Sequence, residues 1–185
     1  MDQPILPNYN LTLSQSLFCF LCVPTLLWSE TSGFSTLYTE FKKGNYSLVS
    51  KQSLQYLNGR EPEKDPRIFF LYVSTEENWS QLKSKVGKEV SPNFRSTPHY
   101  WNAIYLFMER ALVFGESDIL VEWGKEFQKS GKQSPKYNDA LLLYGFGLMD
   151  LKNDSEAKKI FSEIESNSPS KHIVSQLEEL KSVGK

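Results

Sequence analysis

The stretch from Tyr137 to Pro169, YNDALLLYGFGLMDLKNDSEAKKIFSEIESNSP, leaves the chain little choice of local structure. Its first half places Ala140, Leu141, Tyr144, Gly145 and Leu148 at three- and four-residue steps, the spacing of one helix face. Gly145 lies inside that face, where a glycine costs about 1 kcal/mol against alanine and so marks a place of close backbone approach. After a break at Lys152-Asn153-Asp154 a second period runs through Ala157, Ile160, Phe161 and Ile164. It stops at Asn167-Ser168-Pro169, because proline cannot continue a helix. Two short helices are expected to fold back on each other, with Gly145 and Ala157 as holes and Tyr144, Leu148 and Phe161 as knobs.

This spacing resembles the tetratricopeptide repeat, W-x2-L-G-x2-Y, then A-x3-F, then P over 34 residues. Leu141, Tyr144, Gly145 and Leu148 stand at the first four places, and Ala157, Phe161 and Pro169 complete the pattern. Thirty-four residues upstream, Phe107, Ala111, Phe114, Phe127 and Pro135 fall on Leu141, Gly145, Leu148, Phe161 and Pro169. That copy departs at Arg110, which replaces Tyr144, and at Trp123, which replaces the small Ala157 and should open the helix pair wider. The resemblance is best over residues 104–169 and implies an all-α fold: a right-handed α-solenoid of antiparallel helical hairpins with a C-terminal capping helix.

Helical periods extend on both sides. Phe34, Leu37, Tyr38 and Phe41 share a face, a turn follows at Lys43-Gly44-Asn45, and Leu48, Leu54 and Leu57 begin the next helix, with Ser47 expected as its cap. Pro66 opens a further helix through Ile68–Val73, IFFLYV, a run that by itself also suits a strand. Trp79, Leu82 and Val86 complete a second irregular pair. The breaker run Ser91–Pro98 reads as a hinge between two irregular pairs, residues 30–92, and two regular ones with an end helix, residues 98–185. That end helix, Lys171–Val183, sets Ile173, Val174, Leu177 and Leu180 against Gln176, Glu178, Glu179 and Lys181, the polar-backed cap a solenoid needs.

From Gln3 to Ser29 no residue is charged, and Leu17–Trp28 is mostly apolar. The run is shorter than the ~20 residues that cross a bilayer and has the length of a signal-peptide core, although no Lys or Arg precedes it. Residues 1–29 are therefore expected to be an export signal, placing the chain in a periplasm or outside the cell; a first buried helix, with a membrane-anchored or cytoplasmic protein, is the alternative. Cys19 and Cys22 lie inside this run, without flanking residues or a second pair that would support a redox or metal site. Four N-x-S/T sequons, at Asn10, Asn45, Asn78 and Asn153, are read as turn and capping chemistry.

Lys plus Arg 21 against Asp plus Glu 22, a net charge of −1, provides no field for nucleic acid. His99 and His172 have no spaced ligand partners, no phosphate loop or nucleophile motif occurs, and no catalytic residue, metal, cofactor or small-molecule substrate is expected. Membrane contact is expected only through the N-terminal segment. The family resemblance implies a partner-binding groove lined by first helices, and here Tyr105, Met108, Leu112, Leu142, Phe146 and Met149 form a second apolar stripe roughly 100° around the helix from the packed one. A non-catalytic protein-interaction scaffold follows, receiving an apolar or helical segment of a partner protein; a self-associating structural subunit and an enzyme built from scattered carboxylates are the rival readings. The stripe has a rival explanation too, that a neighbouring helix of the same chain fills it.

Overall fold

The computed structural model describes residues 33–59, 65–87 and 92–183. The expected export signal, with Cys19, Cys22 and Asn10, lies outside the described residues. Those residues are all helical, without a strand among them: α1 (Gly33–Lys42), α2 (Tyr46–Leu57), α3 (Pro66–Thr75), α4 (Trp79–Gly87), a 3-10 turn (Pro92–Ser96), α5 (Pro98–Val113), α6 (Ser117–Ser130), α7 (Tyr137–Asp150), α8 (Asp154–Ser166) and α9 (Lys171–Val183). The IFFLYV run is thus helical, and its start is fixed twice over. Pro66 occupies the first turn, and the Asp65 carboxylate accepts from the Arg67 N–H at 2.9 Å.

Three of the connections are the same turn. Gly44, Gly115 and Lys152 each adopt a positive φ, at 81°, 68° and 62°. The residue after each donates its N–H back to the carbonyl five residues earlier: Asn45 to Glu40, Glu116 to Ala111 and Asn153 to Leu148. This satisfies helix-terminal carbonyls that would otherwise be orphaned. The α3–α4 connection differs, passing through Glu76 in extended conformation.

α1 packs on α2 and α2 on α3, α5 on α6, α6 on α7 and α7 on α8, and α1, α3, α5, α7 and α9 also pack in succession. The core follows in two clusters. One runs from Leu37 through Phe69, Tyr72, Leu82, Ile104 and Phe127, and the other holds Leu141, Leu148, Ala157, Ile164, Ile173 and Leu177. In the described part of the expected hinge, Phe94 is buried with its ring 6.3 Å from Phe69, and the Trp101 indole N–H donates to the Arg95 carbonyl at 2.8 Å. The described residues all fall within one compact unit, the 3-10 turn included.

The glycines locate the tightest contacts. A Cβ on Gly145 would lie 2.1 Å from Phe161 Cε1, which places α8 against α7 as the sequence predicts. Two further glycines do the same between α6 and α7. A Cβ on Gly124 would meet Tyr144 Cγ at 2.3 Å, and one on Gly147 would meet Leu120 Cβ at 2.7 Å. On α9, Ile173 and Leu177 are buried as expected, whereas Val174 is exposed.

Candidate functional site

The six residues expected to line a groove do not share one environment. Met108 and Leu142 are buried, the first in the core shared by α3, α5 and α6, the second in a cluster with Ile173 and Leu177 of α9. Tyr105 and Phe146 are half-buried. The Tyr105 hydroxyl donates to Glu109 at 2.7 Å while Lys136 Nζ stands 5.0 Å over its ring, and Phe146 packs edge to face on Phe161. Only Leu112 and Met149 are exposed. The stripe is therefore no open groove along its length, because α5 is flanked by α3, α6 and α7, and neighbouring helices of the same chain take up most of its second apolar face.

The exposed apolar side chains gather instead at the turns. Val113 is 82% exposed and Phe114 52%, beside Leu112 at the end of α5; Met149 and Leu151 are exposed at the end of α7, and Tyr46 and Leu48 at the start of α2. Turn geometry causes this. The helix must end where its backbone turns to positive φ, so the last apolar residues project past the neighbours that cover the rest of the helix.

Polar and aromatic links join three of the turns, those of α3–α4, α5–α6 and α7–α8. The Trp79 ring stacks on Phe114 at 4.9 Å, its indole N–H donates to Glu116 at 3.0 Å, and Lys83 Nζ reaches the same carboxylate oxygen at 2.6 Å. These donors hold the Glu116 carboxyl below its ordinary range. On its other side the Ser117 hydroxyl donates to Asp150 at the end of α7. Arg110, which broke the repeat pattern, donates through its guanidinium to the carbonyls of Val73, Glu76 and Glu77. It thereby caps the C-terminal end of α3, satisfying carbonyls that the extended turn leaves without helical donors.

Sequence reasoning missed Val113, Phe114 and Leu151 as surface residues. The available signal was their position: each lies within two residues of a turn marked by glycine or asparagine. The capping assignments also change. Ser47 caps nothing; Asn45 and Asn153 occupy the N-cap positions of α2 and α8 without side-chain cap bonds, and of the sequon asparagines described only Asn78 caps, accepting the Gln81 N–H at 3.0 Å.

His99 and His172 are exposed, and the described residues contain no group of three His, Cys, Asp or Glu side chains placed to hold a metal. No described helix is long and apolar enough to cross a membrane. Glu163 is committed to internal bonds, accepting from the Tyr137 hydroxyl and from Gln128 Nε2, each at 2.7 Å. Burial, and then Glu163, push the Tyr137 phenol up. Comparison with family models, with curated proteins and with solved structures finds no match.

Proposed function

We propose that this chain is a non-catalytic protein-interaction scaffold, built as a right-handed, tetratricopeptide-like solenoid of four hairpins with α9 as its cap. The repeated positive-φ turn and the succession of odd-numbered helices support the architecture. The observation that carries the function is the exposure of Leu112, Val113, Phe114, Met149 and Leu151 at the turns of the two better-formed helix pairs, which the Ser117–Asp150 hydrogen bond joins. Isolated apolar side chains are normal on any surface, but several on joined turns mark a contact site. Aromatic and methionine side chains suit an apolar or helical segment of a partner, as they adapt to its shape. This edge replaces the groove, keeping from it Leu112 and Met149.

The test uses the full chain and the double variant Val113→Glu and Leu151→Glu. Both positions are exposed, so the fold and melting temperature should be unchanged while a partner retained by the wild type from its native host is lost. Retention of the same proteins by both chains removes this edge from the reading. Sedimentation distinguishes self-association, since a structural subunit would lose oligomer mass with the same substitutions. Phe146→Glu does not serve here, because Phe146 packs against both core clusters.

A further inference from the structure

Glu76 ends α3 and is only 8% exposed. Its Oε2 accepts from the Ser50 hydroxyl at 2.6 Å and from Gln81 Nε2 at 3.1 Å, and its Oε1 accepts from the Asn78 N–H at 2.8 Å. All three donors are neutral. A carboxylate this far from water is ordinarily paired with a cation, since desolvating an ion is costly. The neighbouring cation, Arg110, directs its guanidinium to the backbone carbonyls of Val73, Glu76 and Glu77 and not to the Glu76 carboxylate. No ion pair joins it, or Lys51, to the Glu76 carboxylate among the described residues. A carboxylate offers about four acceptor sites, and among the described residues one on Oε1 has no donor.

The Glu76 side chain lines a depression of about 360 Å³ between α2 and the α3–α4 turn, together with Ser47, Lys51, Leu54, Asn78 and Gln81. One helical turn before Glu76, the fully buried Tyr72 hydroxyl has no hydrogen-bond partner. The Gln81 side chain lies close enough to lower the Tyr72 phenol as a smaller effect, while its amide also donates to Glu76. Burial first, and then the Glu76 charge, push that phenol up to about 12, so it stays neutral and contributes no competing charge.

We infer that this depression is a recognition site for a primary ammonium or guanidinium group, seated on Glu76 Oε1 with its aliphatic stem along Leu54. The cation supplies the counter-charge that the buried carboxylate lacks, through a charge-assisted hydrogen bond. The group is either a free alkylamine or the Lys or Arg side chain of a peptide. The site does not depend on the apolar edge, as a free amine fits it equally.

The experiment follows backbone amide shifts of the full chain on titration with agmatine, with the neutral probe N-butylurea, and with two blocked tripeptides, Ala-Arg-Ala and Ala-norleucine-Ala. Shifts confined to residues 47–54 and 75–81, given by agmatine or the arginine peptide and not by the neutral controls, are expected. Glu76→Gln should weaken binding at least tenfold, and Lys51→Met, which removes a like charge from the exposed rim, should strengthen it. Tighter binding of the arginine peptide assigns a protein side chain, and tighter binding of agmatine assigns a free amine. Equal shifts with the neutral probes, shifts scattered over the surface, or none at all overturn the site. Should Glu76→Gln not fold, the wild-type map and Lys51→Met decide between the same outcomes.

Discussion

The α5–α6 and α7–α8 pairs begin from the same residue pattern and close differently. In α7–α8, Phe161 sits on Gly145, and Ala157 is small enough for the two helices to run close along their length. In α5–α6 the place of Ala157 is held by Trp123, whose ring meets Phe107 edge to face at 6.3 Å, and the helices approach each other less closely. The position before the small residue differs as well. Tyr144 turns back onto Gly124 of α6, whereas Arg110 turns back onto the carbonyls at the end of α3. Each departure from the repeat pattern thus matches what precedes it: a glycine on a regular helix invites a ring, and an extended turn with orphan carbonyls invites a guanidinium.

The largest expected effect comes from making the first pair look like the second. Trp123→Ala installs the residue that α7–α8 uses, but the wider space between α5 and α6 is occupied by the indole, which is only 8% exposed. Removing it leaves a cavity, and a loss of about 3–5 kcal/mol is expected from large-to-small core substitutions. Chemical denaturation measures this. A loss below about 1 kcal/mol would mean that α6 can close onto α5, and that Trp123 does not set the spacing.

A second pair of substitutions ranks the interfaces themselves. Gly124→Ala directs a methyl at Tyr144 Cβ and Cγ, atoms fixed to the α7 backbone that cannot swing aside. Gly145→Ala directs one at the outer atoms of the Phe161 ring, which is half-buried and can rotate outwards. Both gain about 1 kcal/mol of helix propensity. Overpacking costs about 1–3 kcal/mol, so Gly124→Ala should destabilise clearly, while Gly145→Ala falls near neutral and Gly145→Leu loses stability. Equal melting temperatures for the two alanine variants would show that the α6–α7 contact is no tighter than α7–α8.

These rankings also show where the sequence was legible. Gly145 against Phe161 could be read because both residues lie in one contiguous stretch, and the punctuation around it sets α7 and α8 close to where they fall. The Gly124–Tyr144 and Gly147–Leu120 contacts could not, since a glycine in a helix signals close approach without naming the helix that approaches. The surface stripe failed for a related reason. An apolar second face on α5 or α7 looks the same whether its neighbour is α9 or another molecule, and Leu142 turns out to share a cluster with Ile173 and Leu177. Phe114 and Leu148 hold the same place in the pattern, yet Leu148 is buried and Phe114 stacks on Trp79 at the surface. Periodicity assigns a residue to a face; whether the helix ends before that face is covered is decided by the turn.

The smallest effect tests the polar link that holds α4 to the start of α6. Glu116 accepts from Lys83 and Trp79, which lower its folded pKa below the ordinary carboxylate value. A depressed folded pKa contributes stability that is present above the unfolded pKa and is lost as pH falls through the folded one. The Glu116 and Lys83 side chains remain about one-third exposed, so solvent and salt screen the pair and its contribution is small. Glu116→Gln keeps an acceptor for the Trp79 indole and removes only the charge. Its melting temperature should sit slightly below wild type at neutral pH, with the gap closing as pH drops below the ordinary carboxylate range and narrowing when salt is added. The absence of a gap at any pH would show that the Glu116 charge contributes nothing measurable and that an acceptor alone serves at this position. The attachment of α4 would then rest on the Trp79 stack with Phe107 of α5 and Phe114 at its end, an aromatic contact like that within α5–α6 and unlike the glycine contact of α7–α8.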